Sequence, residues 1–167
     1  MKRINIFIMI AVLGLLLFVA SAFAAAPQVS SWTESTERMA DGYRITTWTW
    51  TADSTGYVPN RTSSRKIKGV LFQALTMPDS SLVPAVEDSS GRYPSANYDI
   101  TIESADSLDV MGATLANRSA TLTEWTPPKS PDGTEWTFFV NSKMNVKLTN
   151  NIIPNARGVI KLFWWEK

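Results

Sequence analysis

Apolar and polar residues alternate along much of the chain beyond its first 26 residues. In the stretch GYRITTWTWTA, residues 42–52, Tyr43, Ile45, Thr47 and Thr49 fall on one face. Arg44, Thr46, Trp48 and Trp50 fall on the other. Threonines and aromatic rings suit a pleated surface, so the pattern predicts a strand. The run NYDITIE repeats the alternation, with Tyr98, Ile100 and Ile102 on one side and Asn97, Asp99, Thr101 and Glu103 on the other. Residues 104–107 read as a turn, and Leu108 and Val110 open a return strand. The expectation is a hairpin with one buried and one wet face.

Other strands are expected in QVSSWTEST, in KIKGVLFQALTM up to Pro78, and in residues 120–125. EWTFFVNSKMNVKLT reads as one long strand with a bulge near Asn141-Ser142, and GVIKLFWWEK as the last. Loops separate them at DSTGYVPNRTSSRK, at residues 79–96, and at TPPKSPDGTE, where Asp132-Gly133 is a turn signal. A short helical turn is expected at residues 112–117. No stretch after the leader keeps a helical period, and no internal repeat is evident. Some seven or eight strands at this spacing predict an all-β fold. The expected form is an antiparallel β-sandwich, jelly-roll- or immunoglobulin-like, with a small barrel as the alternative.

The last strand carries apolar residues on both faces: Val159, Phe163 and Trp165 beside Lys161 on one, Ile160, Leu162 and Trp164 on the other. Such a strand is either central and covered twice, or it lends one face to another subunit. Burial within one chain is the expectation, with self-association through residues 159–165 or their neighbours as the alternative use.

The first residues follow a different rule. A basic MKR start precedes an uncharged run from Ile4 to Ala26 that ends in the small residues of Ser21-Ala22-Phe23-Ala24. This is the pattern of a secretory leader, residues 1–24, with Ala22 and Ala24 before the cleavage site. An uncleaved anchor is the competing reading, because the run is long enough to cross a bilayer. Residues 25–167 are then expected to form a single exported domain, periplasmic, cell-surface or extracellular.

Composition narrows the chemistry. The 167 residues include no His and no Cys. A Ser-His-Asp triad, a thiolate nucleophile and an imidazole or thiolate zinc site are therefore excluded. A cysteine-free exported domain has to be held by packing, and 7 Trp, 7 Phe and 4 Tyr supply the buried area. With 16 basic and 15 acidic residues, nothing steers the chain to nucleic acid, or to a membrane other than through the leader. The basic group Arg61, Arg65, Lys66 and Lys68 reads as a solvated loop entering a strand. No cofactor is expected.

Three sets of residues are candidates for function. Asp99, Glu103, Glu124 and Glu135 are carboxylates of the kind that cleave glycosidic bonds in pairs, but they read first as polar strand faces and turns. Asp106 and Asp109 bracket a turn and have oxygens for calcium, without the further ligands and glycine of a true loop. Trp32, Trp48 and Trp50 on threonine-rich strands are candidates for a sugar-stacking platform, against a core-packing alternative. Trp164 and Trp165 join them as partner-contact candidates. Asn60-Arg61-Thr62 and Asn117-Arg118-Ser119 match the glycosylation sequon, which matters only in a host that glycosylates.

The succession WTWTADSTGYV, IKGVLFQALTMP, YPSANYDITIESADSLDVMGATLANRSAT and NVKLTNNIIPNARGVIKLFW resembles a group of small all-β proteins of tailed phages and prophages. The resemblance covers about residues 47–164. It implies a virion-associated or structural role with no catalytic residues to carry over, and fold-defining roles for Tyr98, Asp99, Asp109, Gly112, Asn117 and Arg118. The leader sets this chain apart from phage proteins assembled in the cytoplasm and implies an exported relative on the same scaffold. The expected function is thus non-enzymatic and structural, exerted through protein partners. The alternative is an exported carbohydrate- or surface-binding module.

Overall fold

The computed structural model describes residues 29–79 and 93–167. The expected leader, and most of the loop expected at residues 79–96, lie outside the described residues. The chain is all-β there, with strands β1 (Ser31–Arg38), β2 (Tyr43–Thr51), β3 (Arg61–Thr62), β4 (Ile67–Pro78), β5 (Asp99–Glu103), β6 (Glu124–Thr126), β7 (Phe138–Ser142), β8 (Asn145–Thr149) and β9 (Arg157–Glu166). Every pairing is antiparallel. The larger sheet runs β1-β2-β9-β4, and the far side of β4 is shared by β7 and β6. The smaller sheet runs β3-β8-β5. Among the described residues no helix is long and apolar enough to cross a membrane.

Local chemistry explains the first hairpin. Asp41 (φ 58°) and Gly42 (φ 80°) take left-handed conformations that suit a tight reversal. Trp32 thereby lies opposite Trp50, and Arg38 opposite Arg44. In β4 the register against β9 shifts between Leu71 and Gln73. This bulge changes which residues turn inward: Ile67 and Leu71 are buried before it, Ala74 and Thr76 after it.

The long stretch 135–149 holds two strands rather than one. β7 pairs with β4 in the larger sheet and β8 with β5 and β3 in the smaller. Lys143 and Met144 form the corner between them. Ser63 pins it: its N–H donates to the Met144 carbonyl at 2.7 Å, and its hydroxyl accepts the Met144 N–H at 2.9 Å.

The expected hairpin at residues 97–112 is also corrected. Its turn exists, with Ser104 N–H donating to the Leu108 carbonyl, but the return narrows to a Glu103–Asp109 bridge and one bond from Val110 N–H to Ile102. The true ladder partner of β5 is β8. Residues 109–118 instead run as irregular turns beside the other edge of β5, bonding it through Ile100 N–H to Leu115 and Arg118 N–H to Tyr98. The strand expected at 120–125 contracts to Glu124–Thr126.

One buried cluster draws on both sheets. Trp48, Trp50, Leu71, Ile160, Leu162 and Trp164 come from the larger sheet, Ile100, Ile102, Val146 and Leu148 from the smaller. Burying large side chains of this kind stabilises by about 1.5–3 kcal/mol each before entropy is counted. Gly158 is part of the fit: a β-carbon there would lie 2.7 Å from the Trp50 ring. β9 is central in its sheet, between β2 and β4, and only its even-numbered apolar residues, Ile160, Leu162 and Trp164, join this cluster.

Candidate functional site: an outer aromatic face

The larger sheet has a second apolar side. Leu75, Val159 and Phe163 are buried, yet none belongs to the cluster between the sheets. They lie on the opposite face, where the odd-numbered residues of β2 and β9 project. Cross-strand register builds the patch there. Tyr43 stands opposite Trp165, and Ile45 opposite Phe163. Val70 stands opposite both Trp165 and Phe139, and Leu75 opposite Trp125. Phe72, at the β4 bulge, joins the same group.

Phe163 is the hub. Its ring centre is 5.3 Å from Trp125, 6.3 Å from Tyr43 and 6.4 Å from Phe72. Tyr43 in turn meets Phe72 at 5.4 Å and Trp165 at 5.8 Å. The interplanar angles run from 33° to 71°, so the rings lock at tilts and edges and make an uneven surface. Burial raises the Tyr43 phenol above its ordinary pKa. Trp125, Phe139 and Trp165 stay 56%, 53% and 48% exposed, a concentration of large apolar groups uncommon on an inert surface.

The candidates named from sequence are distributed differently. Trp48 and Trp50 are 0% and 1% exposed, so they are core residues and make no platform. The Thr-Trp alternation could not say which face was wet. Trp32 is half-buried against the core and donates from its indole to the Pro59 carbonyl at 2.8 Å. Trp164 is buried and donates to the Thr46 hydroxyl at 3.1 Å. Trp165 alone of the five reaches the outer face as an open ring. Sequence reasoning missed Tyr43, Phe72, Trp125 and Phe139 as members of one patch. Its usable signal was the odd-numbered face of β9, apolar where a sheet facing water would be polar.

The carboxylates have structural partners. Asp99 accepts the Asn117 N–H at 2.7 Å and the Asn150 amide, and Glu103 pairs with Lys147 at 2.6 Å. Glu124 accepts the Ser119 N–H at 2.6 Å and faces Arg118 at 3.2 Å. Glu135 lies at a bridge to Lys129. Asp109 accepts the N–H groups of Met111 and Ala113, which folds the next loop rather than presenting oxygens to an ion. Asp106 is exposed at the turn. Among the described residues no three acidic side chains gather as a metal site. In the two sequons, Asn60 and Asn117 are exposed, and Arg118 is buried.

A concavity of about 550 Å³ opens between residues 108–113 and 128–138. Trp136 and Leu108 stand exposed among its lining residues, with Phe138 and Pro128 also lining it. Its two walls are tied by Lys129 N–H donating to the Met111 carbonyl and by the close approach of Gly112 to the Lys129 backbone. Comparison of the chain with protein-family models, with curated proteins and with solved structures finds no match.

Proposed function

We propose that this is a non-enzymatic structural or assembly protein, built as an antiparallel β-sandwich, that docks protein partners on the outer aromatic face of its larger sheet. The observation that carries this reading is the tilt of the rings around Phe163, at 33° to Trp125 and 37° to Tyr43. Interlocked rings offer ridges and hollows that suit protein side chains, and exposed Trp and Tyr are favoured anchors of protein interfaces. The absence of His and Cys points the same way. So does the phage-like order of segments, which favours a structural role. The leader-like pattern of residues 1–24 supports a role outside the cytoplasm.

A photo-crosslinking benzoylphenylalanine in place of Phe139, in cells that express the chain, tests this. The expected result is a discrete protein adduct that disappears when Trp165→Ala is added. Absence of any protein adduct would sink the reading.

The second reading, an exported carbohydrate- or surface-binding module, is favoured by one observation: the cleft beside exposed Trp136. A single open indole is enough to stack one sugar ring. Binding to immobilised polysaccharide that Trp136→Ala abolishes would put this reading first.

A further inference from the structure

Among the described residues the outer edge of β1 is an unpaired surface with its own code. Met39 N–H donates to the Tyr43 carbonyl at 2.8 Å, which fixes the phase of the first hairpin. Thr33, Ser35 and Glu37 therefore exchange hydrogen bonds with β2, while Trp32, Glu34, Thr36 and Arg38 turn their N–H and C=O groups away from it. Among the described residues no backbone bond reaches that edge. The segment 59–64 meets β1 through side chains only: the Trp32 indole on Pro59, and the Glu34 carboxylate on the N–H and hydroxyl of Ser64. β1 contains neither Pro nor bulge, two devices that blunt an exposed edge, so selection against wrong neighbours falls to its charges, Glu34, Glu37 and Arg38.

We infer that β1 pairs with β1 of a second copy of this chain, antiparallel, about a two-fold axis at Thr36. This goes beyond the aromatic face and is independent of it. Charge chooses the partner and the register. Centring on Thr36 sets Glu34 of one copy opposite Arg38 of the other, twice, because the two-fold repeats every contact. Centring on Glu34 would oppose like charges, and centring on Ser35 would pair neither charge. In the chosen register the outward groups of residues 34, 36 and 38 meet as hydrogen-bonded pairs, about six backbone bonds in all. Glu34 keeps Ser64, since a carboxylate has acceptor sites for both. The dimer joins two larger sheets edge to edge and sets two aromatic faces side by side, so a partner with repeated sites would be held at both.

Sedimentation equilibrium on the chain purified from cells that express it is the test. The wild type is expected to dimerise, more weakly as salt rises. Thr36→Pro removes an N–H that faces away from β2, so it should yield a monomer with an unchanged circular-dichroism spectrum. Arg38→Glu opposes two carboxylates at each end and should weaken association by about tenfold or more, which reads the proposal even if the proline variant folds poorly. Trp125→Ala with Trp165→Ala should leave the dimer intact. A wild type that stays monomeric at high concentration overturns the proposal, as does a dimer indifferent to both β1 variants. A dimer lost only with the two tryptophans also overturns the edge contact, and moves self-association to the aromatic face.

Discussion

Arg118 donates from Nε to the Thr76 hydroxyl at 3.1 Å, joining the irregular segment beside β5 to the inner face of β4. A second donor of the same guanidinium reaches the Thr114 carbonyl, and Glu124 supplies the countercharge at 3.2 Å without hydrogen-bond alignment. A cation this deeply buried depends on these two hydrogen bonds and the countercharge, and removing it strands them. Arg118→Ala should cost about 3–5 kcal/mol in urea unfolding. Arg118→Met with Glu124→Gln should recover part of that loss by relieving the uncompensated carboxylate.

The tryptophans should divide into two classes. Trp48→Ala and Trp50→Ala empty core volume and should each cost about 3–5 kcal/mol. Trp125→Ala and Trp165→Ala should change stability by less than about 1 kcal/mol. Equilibrium unfolding in denaturant measures both, and acrylamide should quench only the second class readily.

Tyr98 is fully buried against Trp50, and its hydroxyl has no hydrogen-bond partner. Tyr98→Phe should therefore be neutral or stabilising by up to about 1 kcal/mol. Burial also raises its ionisation well above the ordinary 10.0. The unfolded chain then releases this proton near its ordinary value while the folded chain keeps it. Wild-type stability should fall as pH rises past that point, and the Tyr98→Phe variant should lack this part of the alkaline loss.

Asp132 closes the turn before β7. Its carboxylate accepts from the Ser130 hydroxyl first, then from the Thr134 hydroxyl and N–H, which holds its pKa down at about 2. A depressed carboxylate stabilises above its ordinary pKa, and that contribution fades as pH falls toward about 2. NMR titration of the side-chain carboxyl should read the low midpoint, and Ser130→Ala should move it back toward 3.8.

Sequence reading succeeded for the long strands. β2 lies where its Thr-Trp alternation placed it, and β4 and β9 lie where apolar runs bounded by turn residues placed them, though the bulge in β4 left no mark in the sequence. It failed at Lys143-Met144, where the chain changes sheets with neither Gly nor Pro to mark the corner. It failed again after Ser107, a non-glycine residue at φ 60°, where side chains no longer alternate and tertiary bonds to β5 decide the path. The outer face was half legible. β9 shows two apolar sides, but Trp125 and Phe139 reach that face through pairings with β4 that link distant parts of the chain.

The position of β9 has a consequence for how the molecule comes into being. The strand made last of the nine is the one that β2 and β4 both require as a neighbour. Until it emerges, two long ribbons present open hydrogen-bonding rims and Trp48 and Trp50 lack their packing floor. The polypeptide thus stays pliant through most of its synthesis and locks in a single late event. Losing β9 would leave a sticky, half-made product instead of a smaller working one.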